Sequence, residues 1–128
     1  MSSTNAKNEL RLEIKNLLKS YTEKELTEKS NLALQNLALE SSFINANTIL
    51  LYWSLPDEVN THAFIQKWSK QKNILLPTII HNNIEANTYT NTDSLCEGKY
   101  SIQESNGPRF EGIIDLVVVP GRAFDRDG

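Results

Sequence analysis

Two cations four residues apart sit near the start of the chain, Lys7 and Arg11. On a helix that spacing puts both side chains on one side, flanking the apolar positions Leu10, Ile14, Leu17 and Leu18 rather than opposing them. From there they can reach over the edge of a core toward an anion. A lysine in a helix's first turn also opposes the macrodipole, at a cost of about 0.3–1 kcal/mol, and such a local cost points to a use elsewhere. The same spacing equally describes an ordinary solvated face carrying Lys7, Arg11, Lys15 and Lys19.

Acidic chemistry is concentrated behind Pro56, where Asp57 and Glu58 follow in sequence. Carboxylates just ahead of a helix favour its positive end. Alternatively, Glu58 accepts hydrogen bonds from amide or amine groups of a heterocycle, with Trp53 as a flat apolar wall. Tyr100 is a candidate second wall, and an aromatic in an irregular stretch is otherwise a satellite of the core. The closing loop, Pro120-Gly121-Arg122-Ala123-Phe124-Asp125, places glycine, an aromatic and alternating charges directly behind an apolar strand. Gly121, Phe124 and Asp125 there form either a ligand loop or a plain turn. His62 and His81 lack a partner at metal or dyad spacing and are read as non-functional. Cys96, the single cysteine, has no signature of an activated nucleophile. No catalytic group and no metal ligand is nominated, and no Gly-rich phosphate loop of the Walker or dinucleotide type is found.

These residues need elements to position them. Helical spacing of Leu10, Ile14, Leu17, Leu18 and Tyr21 predicts a first helix over 5–21. Thr22 with Glu25 forms a capping-box pattern that opens a second, whose apolar stripe runs through Leu26, Ala33, Leu37 and Phe43. The segment 48–53 (TILLYW) reads as a buried strand followed by a loop over 54–60. A third helix, capped by Asn60 or Thr61, runs to about Gln71 with Phe64, Ile65 and Trp68 inward, and 73–77 (NILLP) is a second strand. Strand, helix and strand within about 30 residues make a βαβ unit with parallel strands. Residues 84–90 alternate weakly as a further strand, 91–104 read as irregular with a possible short turn, and 112–120 (GIIDLVVVP) reads as a central strand buried on both faces. In open parallel sheets ligands bind beyond the carboxyl ends of the strands, which selects the loops 53–60 and 121–128.

The 128 residues carry a net charge of -3, with 39% hydrophobic and 23% charged residues. That balance fits a single α/β domain over 1–128 with no disulfide or structural metal. Scattered basic residues leave no footprint for nucleic acid or an anionic membrane. The polar start and the lack of an apolar run approaching ~18–20 residues predict neither signal peptide nor membrane helix, hence a cytoplasmic protein. A small-molecule ligand and a monomeric state are the corresponding expectations.

The closing stretch IIDLVVVPGRAFDRDG resembles the 5-formyltetrahydrofolate cyclo-ligase family, in which an apolar strand leads to Pro-Gly, a Phe-Asp pair and a Gly. The start AKNELRLEIK is similar to that family's N-terminal Lys-x-x-x-Arg helix. LLYWSLPDEVNT looks like its strand followed by Glu-Val and Thr. The resemblance implies a three-layer αβα fold with a mostly parallel open sheet, like that of sugar-phosphate isomerases and CoA transferases. It also implies ATP-dependent cyclisation of 5-formyltetrahydrofolate to 5,10-methenyltetrahydrofolate, with ATP and Mg2+ required. On it, Lys7 and Arg11 contact ATP phosphates, and Trp53, Glu58 and Tyr100 lie at the folate site. The family's Arg-Leu-Gly, glycine-rich, Tyr-Tyr-Asp stretch does not follow Gly128, so the chain is expected to be a fragment lacking the C-terminal part of the fold. Two alternatives stand beside this reading: a non-catalytic folate-binding domain without the ATP loop, and a sugar-phosphate isomerase-like enzyme using Glu58 as base.

Overall fold

The computed structural model describes residues 3–98 and 102–128. Helix α1 (Ser3–Leu18) is followed by α2 (Glu23–Leu39), and the predicted capping box is present in full. Thr22 N–H donates to Glu25 Oε1 at 3.1 Å, and Glu25 N–H donates to Thr22 Oγ1 at 3.1 Å. That reciprocal pairing satisfies two of the donors a helix start leaves orphaned, and the Thr22 N–H holds the Glu25 carboxyl below its usual range. The apolar stripe does not continue in one helix to Phe43. Glu40, in extended conformation, breaks it, and a short α3 (Ser41–Asn45) carries Phe43 into the core.

A four-stranded sheet follows, its strands ordered Asn83–Thr88, Asn73–Ile80, Thr48–Leu50 and Leu116–Val117. Strand β1 (Thr48–Leu50) leads through a loop to α4 (His62–Trp68) and then to β2 (Asn73–Ile80). β1 and β2 are parallel, with Ile49 opposite Ile74, so the expected βαβ unit is present. β3 (Asn83–Thr88) returns antiparallel to β2, from Ile80 opposite Asn83 to Leu75 opposite Thr88. His81 and Asn82, both with positive φ, make the tight reversal, a backbone region Asn and His adopt more readily than most residues. The sheet is mostly parallel and flanked by helices, the α/β class read from the sequence. Among the described residues no helix is long and apolar enough to cross a membrane.

The core is built where βαβ packing requires it. Ile49, Leu51, Ile65, Ile74, Leu76, Phe43 and Phe64 are buried in one cluster. Phe43, Phe64 and Trp68 meet as an aromatic group with ring centroids 5.0–6.1 Å apart. Lys72 seals its edge: the ammonium lies over the Phe43 and Trp68 rings and donates to the carbonyls of Ile44 and Ala46.

Two expectations are corrected. Residues 91–104 are not wholly irregular. A 3-10 turn (Thr92–Ser94) leads into β4 (Leu95–Glu97), which pairs antiparallel with β5 (Gln103–Ser105), and Glu104 accepts the Ile79 N–H at 2.8 Å. The apolar run 112–120 is not a strand buried on both faces. Its paired part is β6 (Leu116–Val117), parallel to β1, and among the described residues β1 is its one neighbour. Side chains alternate across a strand, so Leu116 and Val118 pack on the core while Ile113, Val117 and Val119 stay 82%, 52% and 67% exposed. Apolarity marks the segment, but burial on both faces needs a layer packed on each, and among the described residues only the Leu116 and Val118 face has one. Asp115 fastens the start of β6 by accepting the N–H groups of Asn47 and Thr48 at 3.0 and 2.9 Å.

Candidate functional site

The loop after β1 is fixed by its own side chains. Thr61 is fully buried. Its hydroxyl donates to the Tyr52 carbonyl at 2.6 Å and accepts the Ser54 N–H at 3.2 Å, while the Thr61 N–H donates to Ser54 Oγ at 3.0 Å. Thr61 therefore spends its hydroxyl on the loop and leaves α4 without a side-chain cap bond at that position; Asn60 Oδ1 accepts the His62 N–H instead, at 3.1 Å. The Asn60 N–H donates to Ser30 Oγ, tying the loop to α2. Within this frame Glu58 Oε1 accepts the Leu55 N–H at 2.8 Å, and the Glu58 N–H donates to the Leu55 carbonyl at 3.0 Å. One carboxylate oxygen thus closes a tight turn, and among the described residues the other makes no hydrogen bond. Burial, and secondarily the Glu58 carboxylate, push the Tyr52 phenol up.

A cleft of about 1200 Å³ opens beside this turn. Lys7 and Arg11 of α1, Glu58 of the first loop, and Gly121, Phe124 and Asp125 of the loop after β6 all line it. The amino-terminal cations and the acidic turn therefore share one cavity. Leu10, Ile14 and Leu26 supply apolar wall between the charges, and Lys29 and Arg122 bring two more cations, the Lys29 ammonium 5.3 Å from the centre of the Tyr21 ring. Phe124 lies directly on Gly121: a Cβ there would meet the Phe124 ring at 2.2 Å, so the glycine admits the ring's close approach.

One nominated wall falls elsewhere. Trp53 does not line the cleft. It stacks on His62, centroids 4.1 Å apart and planes 9° from parallel, and on Tyr89 at 5.9 Å, beside the core. His62 Nε2 lies 2.9 Å from the Ser54 carbonyl, so the imidazole supports the loop. Tyr100 lies outside the described residues. Sequence reading passed over the pairing of Asp57 with Arg122, whose Nη2 and Oδ2 are 2.5 Å apart. The two residues are 65 positions apart, and the available signal was that each follows a strand of the same parallel sheet.

The family model for the 5-formyltetrahydrofolate cyclo-ligase family matches residues 3–128. The chain belongs to this family. A curated relative, the 5-formyltetrahydrofolate cyclo-ligase of Mus musculus, is 28% identical over 135 residues, covering 96% of this chain and 66% of the relative. The NMR structure of Aquifex aeolicus 5,10-methenyltetrahydrofolate synthetase superposes with a TM-score of 0.84 at 27% identity, covering 95% of this chain and 64% of that one. The chain thus spans slightly under two thirds of the cyclo-ligase relatives it matches. Among the described residues no group of three or more His, Cys, Asp or Glu side chains is assembled to hold a metal ion.

Proposed function

We propose that the protein catalyses the ATP-driven closure of 5-formyltetrahydrofolate to 5,10-methenyltetrahydrofolate, with release of ADP and phosphate. The observation that carries this reading is the single cleft lined by Lys7, Arg11 and Glu58, in a chain whose family is named for that reaction. The chemical difficulty is a poor leaving group, because an amide oxygen does not depart as hydroxide. Transfer of the γ-phosphoryl group to the formyl oxygen converts it to a phosphate ester on an electrophilic carbon. N10 attacks that carbon, losing its proton, and phosphate leaves with the C–O bond electrons.

The protein's part is to position two ligands and balance phosphate charge. Lys7 and Arg11 take the phosphates, each ion-assisted hydrogen bond contributing about 1.5–3 kcal/mol. The Glu58 oxygen without a hydrogen-bond partner among the described residues accepts from the pterin's amine or amide groups, its orientation set by the turn that the other oxygen closes. Trp53 contributes to the folate side through the loop it anchors. Magnesium would be held by substrate phosphates, water and one or two carboxylates; none of the described carboxylates is assigned to it, and no step is routed through it. A cytoplasmic monomer completes the proposal.

The test is spectrophotometric: with 5-formyltetrahydrofolate, magnesium and ATP, methenyl absorbance should grow, and omission of ATP should abolish it. Folate binding without any methenyl product at saturating ATP would reject catalysis in favour of a binding module. Absence of both binding and turnover would reject the folate reading altogether.

A further inference from the structure

The loop after β6 lines the cleft with Gly121, Arg122, Ala123, Phe124 and Asp125, yet it is poorly tied down. Val118 N–H still bonds the Leu50 carbonyl, but beyond it the hydrogen bonds of 119–128 are local, Asp127 N–H to Asp125 Oδ1 and Gly128 N–H to the Asp125 carbonyl. Among the described residues one hydrogen bond joins this loop to the rest of the chain, that from Arg122 to Asp57. Asp57 is the residue next to Glu58, inside the turn that Glu58 closes.

We propose that the Arg122–Asp57 ion pair is a positioning clasp for the site, holding the loop after β6 against the acidic turn and thereby fixing both the Glu58 carboxylate and the Phe124–Asp125 wall for the folate. The proposal rests on the folate reading given above for the ligand, but not for the clasp itself. Both side chains are about one-third exposed, 36% and 35%, and exposed pairs contribute little to global stability. Where a segment has few other contacts, however, its local order depends on the one it has. The clasp therefore acts on binding and local opening, and not on the melting of the core.

The test uses Arg122→Gln, Asp57→Asn and the exchanged pair Asp57→Arg with Arg122→Asp in the full protein. Each single variant should raise KM for 5-formyltetrahydrofolate about fivefold, with kcat changed less than about twofold, and the exchanged pair should restore KM. Hydrogen exchange supplies a readout independent of the ligand: the bonded amides of Leu55 and Glu58 in the acidic turn should exchange faster in the single variants, with those of β1 and β2 unchanged. Faster exchange in variants of a protein that does not turn over folate would keep the clasp and remove the folate reading. Equal exchange in wild type and variants overturns the clasp. An unchanged KM with faster exchange overturns its positioning role, and failure of the exchanged pair to restore KM shows that the two charges act separately.

Discussion

The βαβ centre and the rim of the cleft are built on opposite terms. In the centre, Ile49, Leu51, Ile65, Ile74 and Leu76 are buried against one another, and even the polar Thr61 and Ser54 are buried and mutually hydrogen-bonded. At the rim, Leu10 of α1 and Phe124 of the last loop are exposed, and among the described residues a single ion pair ties 119–128 to the first loop. Order that a ligand does not have to supply is placed in the centre. Charge that a ligand can neutralise is placed at the rim. Substitutions should therefore separate into those that unfold the protein and those that only empty the cleft.

The largest effect is expected from Ile65→Ala, which removes a fully buried side chain from the middle of α4 and should cost about 2–5 kcal/mol in denaturant unfolding. A loss under 1 kcal/mol would mean that the centre is as loosely built as the rim. Next is Thr61→Val, which fills the same space but strands the Ser54 N–H and the Tyr52 carbonyl. It should cost about 1–3 kcal/mol and also raise the Kd for 5-formyltetrahydrofolate, because the turn holding Glu58 hangs on those bonds. Unfolding titrations and calorimetry on the same samples decide whether the two effects go together.

On the rim side, Lys7→Ala and Arg11→Ala should leave stability within about 0.5 kcal/mol and raise KM for ATP roughly tenfold, far more than KM for the folate. Equal effects on both substrates would break the phosphate assignment. The smallest effect concerns Asp115, whose carboxyl the N–H groups of Thr48 and Asn47 hold below the usual range. Because its folded value is depressed, its contribution is present above the unfolded value, about 3.9, and is lost as pH falls through the folded value. Asp115→Asn should therefore lower stability modestly near neutrality, where that contribution is present, and flatten the acid limb of stability against pH, the difference from wild type vanishing at acid pH; an unchanged acid limb would remove Asp115 from the account.

Local features were legible in the sequence. The Thr22–Glu25 capping box spans one helical turn and needs nothing distant, and the strand–helix–strand order over 48–80 follows from periodicity that each segment carries within itself. The shared cleft of Lys7, Arg11 and Glu58 followed from strand-end geometry combined with family resemblance. Burial of 112–120 was misread because an apolar strand reports its own composition and not the layers that cover its two faces. The hairpin of β4 and β5 was hidden because strands of three residues are too short to show alternation. Trp53 was placed at the ligand by its type, whereas its neighbours His62 and Tyr89 are fixed by tertiary packing. Asp57 and Arg122 could be paired only once two distant loops were set side by side.

The stacking of Trp53 on His62 equips the protein with an optical reporter of its own. An indole lying flat on an imidazole changes its emission when that ring shifts. The other tryptophan, Trp68, is wedged among phenylalanines on a different flank of the core and supplies a steady background. Because Trp53 and His62 bracket the segment that presents Glu58, arrival of a small molecule there can be followed by light, with no label attached.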